Sequence, residues 1–317
     1  MTSPINLAII VPCYNEEEVL PDTAKILSAK RQQLINEKRL SETSRIVFVD
    51  DGSKDSTWAK IQQLHSENPS AFSGIKLSRN RGHQNALLCG LMTVKDTTDA
   101  TISIDADLQD DVDAIDDMVK KYQDGCEIVY GIRSNRDSDS IFKRSSAQGF
   151  YKLMKFLGAD IVYNHADFRL MGTRALDALA EYKEVNLFLR GIVPMLGYKT
   201  GTVIYARKKR KAGESKYPLS KMLKFAFEGI SSLSVKPLRI ITILGILIFS
   251  TSFFMIIYFF IRYFTGDTVA GWPSLICSIW GIGGLILFAV GIVGEYIGKI
   301  YLEAKARPRF FIEAVLK

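Results

Sequence analysis

Cysteine and histidine are scarce in this chain, and their scarcity excludes whole classes of chemistry. The four cysteines, Cys13, Cys89, Cys126 and Cys277, lie far apart and form no Cys-x-x-Cys pair. That argues against a structural zinc or a disulfide framework and suits a reducing compartment for the soluble part. Three histidines are present, and no spacing pairs His165 with another as a metal ligand. There is no Gly-x-Gly-x-x-Gly fingerprint and no Gly-x-x-x-x-Gly-Lys loop, which argues against a dinucleotide fold and a P-loop ATPase. Leu7 to Val11 is too short for the apolar core of a signal peptide, so none is expected. Internal repeats and low-complexity linkers are missing as well.

What is present is apolar and basic. Hydrophobic residues make up 47% of the 317, ample for a core and enough chain for two ordinary domains. The formal charge of +7 suggests a polyanionic partner, either nucleic acid or an anionic membrane surface. Strands are expected at Leu7–Val11, Arg45–Val49, Gly74–Leu77, Ala100–Ile104 and Ile128–Gly131. Helices alternate with them: Glu16 to Ile35 with Asn15 as N-cap, Thr57 to Glu67, a helix opened by Asn80-Arg81-Gly82-His83-Gln84-Asn85, and Val112 to Asp124. That alternation predicts an α/β fold with a doubly wound, mostly parallel sheet.

Polar clusters follow strands one, two and four, at the edge where such sheets bind ligands. Strand four ends in Asp105-Ala106-Asp107-Leu108-Gln109-Asp110-Asp111. Two carboxylates one residue apart, with an amide close behind, supply hard oxygen ligands for Mg²⁺ or Mn²⁺, which take remaining ligands from water and substrate phosphate. The alternative is a solvated acidic turn, with Asp110 or Asp111 as a helix N-cap. Strand one offers Pro12, Tyr14, Asn15 and Glu16, and strand two offers Asp50 and Asp51. Those carboxylates suit a base N–H or a ribose hydroxyl, and Tyr14 suits stacking on the base.

The C-terminal third reads differently. Ile240–Ile261 and Ala270–Gly294 are uncharged runs of roughly 22 and 25 residues, each long enough to cross a ~30 Å hydrocarbon core. Two transmembrane helices, at about 240–262 and 271–297, are therefore expected. Lys236 and Arg239 precede the pair, and Lys299, Lys305, Arg307 and Arg309 follow it, so both termini are expected on the cytoplasmic side. Residues 219–235 keep apolar spacing at i, i+3/i+4 with Lys221 and Lys224 alongside, as an interfacial amphipathic helix does. Residues 141–157 mix basic and apolar positions in a similar way, suiting either a helix on a membrane or an ordinary surface helix. Nucleic acid is rejected for the basic run Arg207–Lys216, because it leads directly into this membrane-directed stretch. Gly294-x-x-x-Gly298 permits close helix approach, so self-association in the membrane is expected, while Glu295 is expected to pair with Lys299.

Four segments, Pro12-x-Tyr14-Asn15-Glu16, Asp50-Asp51-Gly52-Ser53, Asn80-Arg81-Gly82 and Asp105-x-Asp107-Leu108-Gln109, resemble those of family-2 glycosyltransferases of GT-A fold. More narrowly the chain resembles the polyprenyl-phosphate glycosyltransferases, over its whole length. Arg81 is a departure, standing where bacterial relatives often carry an aromatic residue. The resemblance implies that Pro12, Tyr14, Asn15, Glu16, Asp50, Asp51, Arg81 and Asp105 hold the nucleotide sugar. Metal and diphosphate fall to Asp107 and Gln109, with Asp105 nearer the ribose or sugar. Asp167-Phe168-Arg169-Leu170 matches a segment whose aspartate is usually the catalytic base, which assigns catalysis to Asp167 and Asp107. Asp167 has other readings: orienting the acceptor, positioning Arg169, or a salt bridge within a polar loop at 163–171. Arg169, Arg190, Arg207, Arg210, Ser215 and Lys216 are the candidates for acceptor and diphosphate anions, with a structural ion pair the other reading of Arg190.

The expected organisation is a catalytic domain over residues 1–218, an interface helix over 219–235 and a membrane domain over 236–317. The expected reaction is metal-dependent, inverting transfer of one sugar to polyprenyl phosphate, undecaprenyl phosphate being the lipid favoured. UDP-glucose or UDP-N-acetylglucosamine is the favoured donor, with GDP-mannose and a UDP-formamido-arabinose as alternatives. A processive polysaccharide synthase calls for a Gln-x-x-Arg-Trp segment and a larger membrane channel, both missing here. A non-enzymatic membrane scaffold is expected to have lost the metal ligands, which are intact.

Overall fold

The computed structural model describes residues 3–134, 165–185, 187–206, 236–264 and 272–317. The segments 141–157, 207–217 and 219–235, with Arg207, Arg210, Ser215 and Lys216, lie outside the described residues.

Strand β1 (Leu7–Cys13) is buried along its whole length. Its side chains alternate between two apolar clusters: Leu7, Ile9 and Val11 enter one, Ala8 and Ile10 the other. Burial on both faces is what a parallel strand covered by helices on each side demands, and it explains the unbroken apolar run. β1 pairs in parallel with β2 (Arg45–Asp50) and β4 (Ala100–Ser103), and β2 with β3 (Phe72–Leu77). One face is covered by α1 (Leu20–Asn36), α2 (Thr57–Glu67) and α4 (Ala114–Gln123), through Leu20, Leu27, Ile61, Ile115 and Met118. The other is covered by α3 (His83–Val94), α5 (Thr173–Ala180) and α6 (Leu189–Met195), through Leu87, Leu91, Leu176 and Ile192.

Three further strands make the sheet mixed. β5 (Ile128–Arg133) pairs in parallel with β7 (Thr200–Tyr205), whereas β6 (His165–Gly172) runs antiparallel between β4 and β5. β8 (Ile312–Leu316) runs antiparallel to β3, giving the order β7-β5-β6-β4-β1-β2-β3-β8. The C-terminal residues 307–317 therefore belong to the sheet unit. Lys76 pairs with Glu313 at 2.8 Å, and Ser78 N donates to Phe311 O at 3.0 Å. β8 covers the edge that β3 otherwise exposes, and Lys76 adds a charge to that edge.

The second unit holds two helices, α7 (Lys236–Phe264) and α8 (Trp272–Lys305). Among the described residues one segment, Gly281–Lys305 within α8, is long and apolar enough to cross a membrane by length and composition.

Three local expectations are corrected. Asn15 does not cap α1: the helix starts at Leu20 with Val19 before it, and Asn15 sits at φ +53° in the preceding turn. Neither Asp110 nor Asp111 caps α4, which begins after Asp113. The polar loop expected at 163–171 is strand β6 from His165 onward, since its alternating residues find partners on both β4 and β5.

The turns after β1 and β2 are joined. Asn15 N donates to Ser53 Oγ at 3.0 Å, Lys54 N to Asn15 Oδ1 at 2.9 Å, and Ser56 N to Glu17 Oε2 at 2.9 Å. Gly52 closes this arrangement at φ +67°, where an added Cβ would lie 2.5 Å from the backbone carbon of Arg79. Gly52→Ala is therefore expected to destabilise the sheet unit by about 2 kcal/mol, from backbone strain and from displacement of the 79–80 backbone together. Denaturant unfolding of the two proteins reads this difference directly.

Candidate active site

The carboxyl ends of β1, β2 and β4 bring the first three clusters to one edge of the sheet, as the parallel order requires. Tyr14 is exposed on the turn after β1, and Pro12 lies within the buried strand itself. Glu16 N donates to Thr57 Oγ1 at 2.9 Å, which ties this turn to the start of α2. Asp50 and Asp51 are buried at the end of β2. Burial raises both carboxyls above the ordinary range, opposed by the N–H groups that bond to them. Asp51 accepts from Arg81 N at 2.6 Å and Gly82 N at 2.8 Å, so it holds the turn that leads into α3. Asp50 Oδ1 accepts from Ser53 N at 3.1 Å, while its Oδ2 is buried without a hydrogen-bond donor.

That turn delivers a residue which the sequence reading passed over. His83, first in α3, places Nε2 3.6 Å from Asp105 Oδ1 and 3.8 Å from Asp167 Oδ2. The Asn80-Arg81-Gly82-His83 motif was visible in the sequence, but nothing in it told which way the ring faces. Burial pushes the Asp105 carboxyl up to about 6; His83 pulls it down, and the charges of Asp167, Asp110 and Asp107 push it further up. Asp107 Oδ1 accepts from Gln109 N at 3.1 Å, across Leu108 at φ +49°.

Asp167 enters from β6. Its side chain is 12% exposed, and Arg169, two residues on, is 2% exposed. Arg169 Nη2 donates to Asp167 Oδ1 at 2.8 Å. Arg190, from α6, donates through Nε to Oδ1 at 3.2 Å and through Nη2 to Oδ2 at 2.9 Å. Burial alone would raise Asp167, but the guanidiniums of Arg190 and Arg169, with His83, hold it well below the usual carboxylate range. Asp167 is thus an anion at neutral pH and a weak proton acceptor, because basicity falls with pKa. The two guanidiniums and one carboxylate leave the cluster with net positive charge.

Among the described residues no group of three or more His, Cys, Asp and Glu side chains is placed to hold a metal by itself. The donors instead fit a hard cation held by one or two carboxylates and completed by phosphate and water. Two carboxylates and an amide oxygen within five residues of one loop, Asp105, Asp107 and Gln109, are what favours a cation here.

The family model for glycosyl transferase family 2 matches residues 8–180. The chain is 54% identical to the uncharacterized glycosyltransferase YkoT of Bacillus subtilis, over 97% of this chain and 91% of that one. It is 38% identical to the bactoprenol glucosyl transferase of Shigella phage SfX, over 98% of this chain and 99% of that one. Among solved structures, the Pyrobaculum calidifontis mannosyltransferase PcManGT in complex with GDP-Man and Mn²⁺ is similar at 17% identity. That similarity covers 95% of this chain and 86% of that one, with a TM-score of 0.41.

Removing the Asp167 charge leaves Arg169 buried without its counter-ion. Asp167→Asn is expected to cost about 3 kcal/mol at neutral pH, measured by denaturant unfolding. The pH dependence has a definite sign. A depressed carboxyl stabilises the fold fully above its unfolded value of about 3.9 and loses that contribution as pH falls through the folded value. The gap between wild type and Asp167→Asn should therefore be widest above pH ~5 and shrink below pH ~4.

The family match over more than half of the chain and the nearly full-length similarity to named glycosyltransferases agree: the chain belongs to glycosyl transferase family 2 and is a glycosyltransferase.

Proposed function

We propose that the protein transfers a single sugar from a nucleotide sugar to a polyprenyl phosphate at the cytoplasmic face of a membrane. One observation carries the reading: on the same edge of the sheet, an acidic Asp105–Gln109 loop lies beside a net-positive Asp167–Arg169–Arg190 cluster, with His83 between them. The acidic side suits a cation-bound diphosphate, and the basic side suits an anionic acceptor. Relatives named bactoprenol glucosyl transferase, similar over nearly the whole chain, support a lipid phosphate acceptor and favour a glucosyl donor.

Each residue then has a task. Tyr14 stacks on the base, and the end of β2 meets the nucleoside, where the Asp50 oxygen that lacks a donor accepts from an incoming N–H or O–H. Asp107 and Gln109, together with Asp105, would hold Mg²⁺ or Mn²⁺. When bound, that ion supplies Lewis-acid neutralisation of the leaving diphosphate. A phosphate monoester already carries about 1.5 to 2 negative charges at pH 7 and needs no strong base. Asp167 accordingly orients the partly exposed Arg190 guanidinium toward the acceptor phosphate, with buried Arg169 bracing Asp167 from behind, and takes no proton. One in-line displacement by the phosphate oxygen inverts the anomeric centre.

The apolar segment of α8 supports membrane attachment, and the flanking Lys and Arg residues are the argument for two spans with both termini cytoplasmic. Self-association through Gly294-x-x-x-Gly298 belongs to the same reading.

The test is transfer of radiolabelled sugar into solvent-extractable lipid. Purified protein meets undecaprenyl phosphate, Mg²⁺ or Mn²⁺, and UDP-glucose, UDP-N-acetylglucosamine or GDP-mannose in turn. Label should enter the lipid with one donor, and Asp107→Ala should lower the rate at least about a hundredfold. Folded protein that labels no lipid of any length with any donor sinks the polyprenyl-phosphate reading.

A further inference from the structure

Asp110 follows the metal-binding loop in sequence, yet its side chain is only 1% exposed. Its Oδ1 accepts from Tyr205 Oη at 2.5 Å and from Arg133 at 3.1 Å (Nη2) and 3.3 Å (Nε). Arg133 Nε also donates to Tyr205 Oη at 3.3 Å, closing a ring of three residues. Arg133 ends β5 and Tyr205 ends β7, so this one carboxylate ties the loop after β4 to two other strands. The Tyr205 ring stands edge-on to Phe168, at 5.3 Å between centroids, directly between Asp167 and Arg169 in the chain.

The same loop is held from its other side. Thr23 Oγ1, on α1, donates to Ala106 O at 2.6 Å. Between these two anchors lie Asp107, Leu108 and Gln109, with Leu108 in the left-handed region at φ +49°. An L-residue keeps that conformation only where its surroundings over-determine it. A buried, charged, three-way network is an expensive way merely to fill space, because apolar residues of similar volume are often as stable. Its geometry is directional, and the direction it sets is that of the loop.

We propose that Asp110, Tyr205 and Arg133 form a positioning unit that holds Asp107 and Gln109 at the angle needed to grip a divalent cation together with a nucleoside diphosphate. This rests on the nucleotide-sugar reading of the site. None of the three needs to touch the ion. Their effect passes through the backbone at 106–110.

The experiment measures Mn²⁺ binding directly, by electron paramagnetic resonance of free Mn²⁺, with UDP and separately with GDP. Full-length wild type, Tyr205→Phe, Asp110→Asn and the double variant are compared, alongside their melting temperatures. Tyr205→Phe deletes one hydroxyl and should weaken Mn²⁺ binding about fivefold, the equivalent of one hydrogen bond. Asp110→Asn should weaken it at least as much, and the double variant should be no worse than Asp110→Asn, since the groups act as one unit. In sugar transfer, the half-activating Mn²⁺ concentration should rise by the same factor while the KM for polyprenyl phosphate holds. Unchanged Mn²⁺ binding in both single variants, with a lowered melting temperature, overturns the proposal and leaves the network purely structural. Wild-type protein that binds no Mn²⁺ with either nucleotide overturns the metal site itself, and the positioning role with it.

Discussion

A carboxylate buried at the edge of a sheet needs N–H donors or positive charge to offset its lost hydration, and Asp167 has two guanidiniums. Meeting that requirement shapes the site. Asp167 and Arg169 share one face of β6, two residues apart, while Phe168 faces the opposite way into the apolar cluster. Because β6 runs antiparallel to β4, with Ser103 opposite Arg169, position 167 lies just beyond the carboxyl end of β4. An antiparallel strand inserted into a parallel sheet thus brings Asp167 and its guanidinium partners up against Asp105.

The turns after β1, β2 and β3 depend on backbone groups more than on side-chain pairs. The carboxylate of Asp51 is occupied by the N–H groups of Arg81 and Gly82, and the side chain of Asn15 by the N–H of Lys54. These bonds join the turns after β1, β2 and β3 into one rim, and His83 stands at its inner end. Residues that the sequence pattern marks for ligand binding, such as Asn15 and Asp51, here build the wall on which the exposed Tyr14 is mounted. The two roles are compatible, since a rim made of satisfied backbone groups presents its remaining atoms at fixed positions.

The legible part of the fold was the part governed by local periodicity. Leu7–Val11, Arg45–Val49 and Ala100–Ile104 are apolar because both of their faces are covered, and runs of that kind announce buried parallel strands. The α2, α3 and α4 helices were readable for a similar reason. β6 was not, because His165-Ala166-Asp167-Phe168-Arg169 carries charge at positions that a strand normally fills with apolar groups. Those charges are tolerated through pairing with Arg190, 23 residues further along the chain. β8 was hidden for another reason: its partner β3 lies more than two hundred residues earlier, and a short C-terminal run carries no sign of such a distant edge.

By itself the sequence determined the alternation of strands and helices, the acidic loop after β4, the apolar C-terminal helices and the membership of a glycosyltransferase family. Each of these rests on composition, spacing or short motifs, which are local properties of the chain. Tertiary structure alone decided that Asp167 is clamped between Arg169 and Arg190, that His83 spans Asp105 and Asp167, and that Asp110 turns inward to Tyr205 and Arg133. A carboxylate's charge, basicity and direction depend on what lies within a few ångströms of it. Those neighbours come from strands far apart in sequence, and only the folded sheet brings them together.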